Sequence, residues 1–217
     1  MKRTFSIIGI IILSISMIFV TTGCESKRPE IKITLEDGRV MNFTLYRNYA
    51  PDTVAHFLSL CESGYYNNTI VSDMQTSRIL MGNYSYDKDL YLKAKSNVDT
   101  IDGEFTANGT VVQNNPLLHT LGVLSMYNEW GDGIENGSKN SASNIFFIAT
   151  STVTSYDGRY ATFGKISDDD SLAVLEEIMA DETTYADNYQ YSELNEEYGI
   201  TLPSVTIVIK TIEIIKQ

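Results

Sequence analysis

The stretch TIVSDMQTSRILMGN, residues 69–83, carries one aspartate, Asp73, and one arginine, Arg78. A guanidinium offers a rigid fork of N–H donors, whereas an ionised carboxylate only accepts. Two roles are therefore open to Arg78: donation to a bound substrate, or pairing with Asp73 or another nearby acid. Other reactive types are sparse, with two cysteines and two histidines in 217 residues. Cys61 falls on the apolar stripe of an expected helix and reads as a buried core thiol. His56 falls off that stripe and reads as a surface residue. Asp132, Glu135 and Asn136 share one loop but lack the alternation of an EF-hand calcium site. A solvated loop is expected there, and neither a metal nor a cofactor is expected anywhere.

The elements that must position these residues are short. Residues 122–126, 145–148 and 160–163 are apolar runs, separated by a glycine-containing polar loop and by the Asp157-Gly158 turn. Such spacing predicts consecutive strands of an all-β barrel or sandwich. Residues 31–34 and 40–46 straddle Glu36-Asp37-Gly38, a hairpin signal. Pro51 suits the first turn of a helix. Val54, Phe57, Leu58 and Cys61 then recur at i, i+3, i+4 and i+7, and Gly64 supplies the stop. The acids Asp168, Asp169 and Asp170 predict the start of a second helix through 172–179. Val205, Ile207 and Ile209, then Ile212 and Ile214, form a closing strand whose skipped beat predicts a bulge or a change of face near Lys210. Residues 88–100 and 180–202 read as polar insertions, the second rich in tyrosine (Tyr185, Tyr189, Tyr191, Tyr198).

At the N-terminus, Lys2 and Arg3 precede an uncharged apolar run, residues 5–20, and Thr21-Thr22-Gly23-Cys24 follows. That order predicts a signal segment over 1–23 with a lipobox-like end, Cys24 lipidated, and a short linker over 24–30. Cys61 is then the only other thiol, and no intrachain disulfide is expected. Removing Lys2 and Arg3 with the signal takes the net charge from −12 to −14. Such a balance argues against nucleic acid and against docking on anionic lipid. What remains is enough for one compact domain over 31–217.

Three ordered blocks go further: HTLGVLSM from His119, NSASNIFFI from Asn140, and DGRYATFGK from Asp157. Together they resemble the cyclophilin family of peptidyl-prolyl isomerases, and APDTVAHFLSLCESGYY resembles that family's first helix. The likeness spans roughly 31–179 plus the last strand. It implies a closed, mostly antiparallel β-barrel capped by two α-helices, with Phe147 as the floor of a proline pocket. In the family a catalytic arginine sits in a Phe-His-Arg run, followed by Phe-Met-x-Gln-Gly-Gly. An ungapped register places Asp73 on that arginine and Ser72 on the histidine. It places Arg78 on the pocket phenylalanine, Ile79 on the methionine and Met81 on the glutamine. Ile145 replaces a glutamine, Ser155 a tryptophan or histidine, Tyr156 a leucine, and Leu121 an arginine or glycine. Tyr160 fits a position where histidine and tyrosine both occur, and Asn128 is retained between Tyr127 and Glu129.

The resemblance therefore implies Asp73, Ile79, Met81, Asn128, Ile145, Phe147, Tyr156 and Tyr160 as substrate-binding residues, with Arg78 the candidate catalytic donor. The implied activity is a low-turnover isomerase that assists the folding of exported proteins. The alternative is a non-enzymatic peptide-binding or chaperone-like lipoprotein on the same scaffold. Expected partners are proline-containing segments of exported proteins and, through the lipid, the outer face of the bacterial cytoplasmic membrane, or a periplasm-facing membrane if an outer membrane exists. A monomer that binds no nucleic acid is expected. Replacing Cys24 with serine should release the protein from membranes or leave an unprocessed precursor. Unchanged membrane partitioning and an unchanged mature N-terminal mass would reject lipidation at Cys24.

Overall fold

The computed structural model describes residues 28–86, 92–96, 98–109, 115–180 and 206–217. The expected signal segment, Cys24 and residues 181–202 of the tyrosine-rich insertion lie outside them. Strands β1 (Glu30–Leu35) and β2 (Val40–Leu45) form the predicted hairpin around Gly38, whose φ of 96° is the left-handed conformation such a turn needs. They are followed by β3 (Thr69–Met74), β4 (Arg78–Tyr86) and β5 (Leu92–Ala94). The rest are β6 (Val123–Met126), β7 (Phe146–Ala149), β8 (Ala161–Ile166) and β9 (Val208–Lys216). Pairing runs β3-β9-β1-β2-β8-β6-β7-β4, and β4 pairs back on β3. Eight antiparallel strands thus close a barrel, so none of them is left as an open edge. The ninth, β5, pairs with Tyr84–Tyr86 of β4, beyond the reach of β7. It gives part of the expected surface excursion over 88–100 a strand of its own.

Closure requires strands to bend, and β9 does so where the apolar beat skips. Thr34 pairs with Thr211 and Leu35 with Ile209, which leaves Lys210 as the extra residue, exposed. On either side of it Ile207, Ile209 and Ile212 are buried. The barrel interior is filled by these, by Ile31, Ile33, Met41 and Phe43, and by Phe57, Phe146 and Phe163. Phe105 and Val123 are buried too.

Helix α1 (Pro51–Glu62) buries Val54, Phe57, Leu58 and Cys61, the stripe read from spacing, and packs on β8 and β9. Burial pushes the Cys61 thiol well above its ordinary pKa, which makes it a poor nucleophile. His56 is half-buried and hydrogen-bonded to the Ser143 carbonyl (2.7 Å), so it ties the helix to the loop before β7 and is not a free surface residue. Helix α2 (Asp169–Ala180) packs on β2 and begins at a side-chain cap: Asp168 Oδ1 accepts the Ser171 N–H at 2.7 Å. Ser171 Oγ in turn accepts the Asn42 N–H of β2 at 2.8 Å.

The start of α1 has no such local device. Its N-cap is Ala50, which has no side-chain acceptor. The buried carboxylate of Glu104 substitutes from the far side of the chain. It accepts the N–H of Asp52 at 3.2 Å and of Thr53 at 2.7 Å, two of the groups a helix N-terminus leaves unpaired. Glu104→Ala strands these donors and should cost about 1–3 kcal/mol in urea denaturation. Glu104→Gln, which keeps an acceptor but not the charge, should cost less.

Candidate functional site

On β4 the side chains alternate, and this decides which residues can meet. Ile79 and Met81 point into the barrel and belong to its main core. Arg78 and Leu80 take the other face, where Leu80 lies directly opposite Phe147 of β7. Phe147, Tyr160 and Leu80 form a second buried cluster, with Tyr127, Ile145 and Tyr156 packed against it. Of the residues expected to bind substrate, Phe147, Tyr156, Tyr160 and Asp73 come together around Arg78, and Ile145 packs on the same aromatic cluster. Ile79 and Met81 do not join them, because with a period of two the strand presents 78 and 80 to this cluster, not 79 and 81. Asn128 is buried as a brace: Nδ2 donates to the Arg159 carbonyl (2.9 Å), and Oδ1 accepts the Gly131 N–H (2.6 Å). Ser72 lies in the barrel wall, bonded to Asn83 at 2.5 Å.

Arg78 is the centre of the cluster and is only 4% exposed. Its guanidinium carbon lies 5.7 Å from the Phe147 ring centre and 5.9 Å from those of Tyr127 and Tyr156, which is cation–π range. Nη1 pairs with Asp132 Oδ1 at 2.6 Å, and Nη2 faces Asp73 Oδ2 at 3.6 Å, an ion pair longer than a hydrogen bond. Asp73 also accepts from Gln75 Nε2 at 2.7 Å. Burial alone works against the charge, but the hydrogen bond and charge of Asp132 outweigh it, so Arg78 stays firmly protonated. Of the two roles left open for Arg78, the structure shows the ion pair. The main partner is Asp132, a loop acid whose role was not legible from spacing; its place between Gly131 and Gly133 is the only local signal.

The consequence for the pocket is direct. Phe147 is 0% exposed: the Arg78 guanidinium lies over its ring, the His119 imidazole stacks on it, and Tyr156 and Tyr160 meet it in edge-to-face contacts. Burial and the Asp132 charge raise the phenols: Tyr127 is pushed up to about 12, and Tyr160 higher still. Both therefore act as neutral donors toward that carboxylate.

Behind the cluster, His119 Nδ1 lies 2.8 Å from Asp157 Oδ1 and Nε2 lies 3.0 Å from Ser125 Oγ. These distances match an acid–base–nucleophile relay, yet Ser125 is 0% exposed and its hydroxyl also faces the Ala161 carbonyl at 3.1 Å. No substrate atom reaches it, so the trio is structural. It fastens the 119–125 segment to the Asp157 turn and backs Phe147, on which the imidazole stacks at 6.0 Å.

A sequence model of the family described as "Cyclophilin type peptidyl-prolyl cis-trans isomerase/CLD" matches residues 30–196. Peptidyl-prolyl cis-trans isomerase CYP18-2 of Arabidopsis thaliana is 27% identical over 146 residues, which is 65% of this chain and 76% of the plant protein. Peptidyl-prolyl cis-trans isomerase B of Bacillus subtilis is 27% identical over 133 residues, 61% of this chain and 80% of its own. A cyclophilin-type isomerase of Cryptosporidium parvum superposes with a TM-score of 0.60 at 21% identity, over 88% of this chain and 99% of that one. A structure of the same protein in the presence of the dipeptide Ala-Pro gives 0.58 at 22%, over 87% and 99%. At such identities these superpositions speak to the fold, the closed barrel with two helices.

Burial lowers the His119 pKa against the opposing pull of Asp157, so the folded protein favours the neutral ring. Protonation then favours the unfolded chain. The stability that neutral His119 contributes is present above its ordinary value of 6.5 and is lost as pH falls toward the lowered folded value. The stability gap between wild type and His119→Gln should narrow from pH 7.5 to pH 5, measured by urea denaturation. A constant gap would show that the ring titrates alike in the folded and unfolded chains, and a widening gap that the fold favours the charged ring.

Proposed function

Because the chain belongs to the cyclophilin-type peptidyl-prolyl cis-trans isomerase family, we propose that it is an exported, lipid-anchored isomerase of low turnover acting on proline-containing segments. Rotation about an X–Pro bond must break amide resonance, a barrier of about 18–20 kcal/mol. A catalyst needs only an apolar seat for the proline ring and donors that favour the twisted amide over either planar form. Phe147 supplies the seat by resemblance. The observation that carries the low-turnover reading is the guanidinium of Arg78 over that ring, held by Asp132. A proline can lie on Phe147 only after these two part. Asp73, where the resemblance puts the donor arginine, offers an acceptor and would repel the electron-rich prolyl nitrogen. The presence of the dipeptide Ala-Pro with the Cryptosporidium protein supports proline peptides as the ligand class.

Anchoring at the outer face of the membrane through Cys24 rests on the N-terminal sequence; no helix among the described residues is long and apolar enough to cross a bilayer. The second reading, a non-enzymatic peptide-binding lipoprotein, is favoured by Asp73 itself, since a binding module needs no donor at that place.

The decisive measurement is a proline-isomerisation assay on succinyl-Ala-Ala-Pro-Phe-p-nitroanilide. Losing one preorganised donor costs a factor of about 10²–10³, and kcat/KM should lie at least that far below a family member that keeps the Phe-His-Arg run. Asp73→Arg should recover about one order of magnitude, roughly 1.4 kcal/mol of transition-state stabilisation. A wild type as fast as such a relative would reject the low-turnover reading. No activity in either form would favour the binding module.

A further inference from the structure

Three donors converge on one carboxylate in this site. Arg78 Nη1 reaches Asp132 Oδ1 at 2.6 Å, the Tyr160 hydroxyl reaches the same oxygen at 3.3 Å, and the Tyr127 hydroxyl reaches Oδ2 at 3.4 Å. The donors come from the barrel: Arg78 from β4, Tyr127 from the end of β6 and Tyr160 from the start of β8. The acceptor comes from a surface loop and is 28% exposed. Short local hydrogen bonds shape that loop, from Asp132 N to the Asn128 carbonyl and from Gly133 N to the Trp130 carbonyl. Gly131 lets it lie on Tyr160, since a Cβ there would stand 2.6 Å from the ring.

Asp132 also fits the donors incompletely. It meets the guanidinium end-on through Nη1, while Arg78 Nε is buried with no acceptor among the described residues. A carboxylate approaching side-on engages two parallel N–H groups of an arginine, the stronger arrangement. We propose that Arg78, Tyr127 and Tyr160 form a receptor for a peptide carboxylate, with Asp132 as its resident occupant. It would select proline segments that carry an acidic group, and the incoming carboxylate would displace Asp132 as the peptide settles on Phe147. This rests on the proline-peptide reading of the same site. As an internal ligand, Asp132 competes at the high effective concentration of a tethered group, so its removal should expose the preference most clearly.

The test uses the full-length protein in detergent, titrated with blocked peptides and read by the fluorescence of Trp130, the single tryptophan, two residues from Asp132. Ac-Ala-Glu-Pro-Phe-NH2 should bind Asp132→Asn about tenfold or more tighter than Ac-Ala-Gln-Pro-Phe-NH2, the scale of one charge-assisted contact. Wild type should discriminate less. Arg78→Gln should abolish the preference, and Tyr127→Phe, which removes one hydroxyl and keeps the ring, should reduce it in a protein of unchanged melting temperature. The free acid Ac-Ala-Gln-Pro-Phe-OH separates a side-chain carboxylate from a chain end; either one outbinding the neutral peptide supports the receptor. Equal affinities for all three peptides in Asp132→Asn, or a preference that survives both Arg78→Gln and Tyr127→Phe, overturns it. Ac-Ala-Glu-Ala-Phe-NH2 isolates the parent reading: binding equal to that of the proline peptide removes the isomerase assignment and leaves the receptor standing.

Discussion

A guanidinium buried against a phenylalanine face cannot be left with solvent as its partner, and much of the site follows from that constraint. An isolated charge of this kind would cost many kcal/mol. The protein meets the demand with two carboxylates and three π-faces, each drawn from a different part of the chain. Asp73 comes from the neighbouring strand, Asp132 from a loop, and the rings from β7 (Phe147), from the residue after β6 (Tyr127) and from the turn before β8 (Tyr156). The loop over 127–137 therefore does more than join two strands, because its acid completes the neutralisation of a residue in the barrel wall. The same contacts cover Phe147. Charge burial and pocket closure are one event in this molecule.

The scaffold around the site is conservative in its physics. The barrel is closed by β3 on β4, the core is aliphatic with clustered phenylalanines, and the His119 trio satisfies its own polar atoms behind the pocket. None of that depends on Arg78. The departures that the resemblance implies fall on both faces of β3 and β4 and also at Leu121, Ile145, Ser155 and Tyr156, while the barrel itself is kept.

Much of the fold was legible because it rests on local periodicity. The α1 stripe of Val54, Phe57, Leu58 and Cys61 and the bulge at Lys210 are properties of spacing, and the structure has both. The site was less legible for two reasons. Ungapped matching put Arg78, Ile79 and Met81 together in the cleft, but the alternation of a strand keeps Arg78 there with Leu80 and turns Ile79 and Met81 into the core. The Arg78–Asp132 pair spans distant sequence with no motif to announce it; only the three-dimensional meeting of β4 with the loop reveals it. The Glu104 cap was hidden likewise, since spacing shows a helix start but not a remote acceptor. The lipidation expected at Cys24 and residues 181–202 of the tyrosine-rich insertion lie outside the described residues.

The borrowed cap on α1 has a bearing on how the chain acquires its shape. With Ala50 before the helix, the acceptor for the Asp52 and Thr53 amides lies 52 and 51 residues further along. As the chain grows from the ribosome, the helix can be synthesised in full while that acceptor does not yet exist. A twelve-residue helix is marginal in isolation. Its first turn becomes secure only when a loop of some fifty residues has closed, at an entropic cost that grows slowly with loop length. Consolidation of the helix is thereby coupled to a non-local contact, the kind that slows folding by raising contact order. The first turn of the helix stays uncapped until the segment around Gly103 and Glu104 arrives.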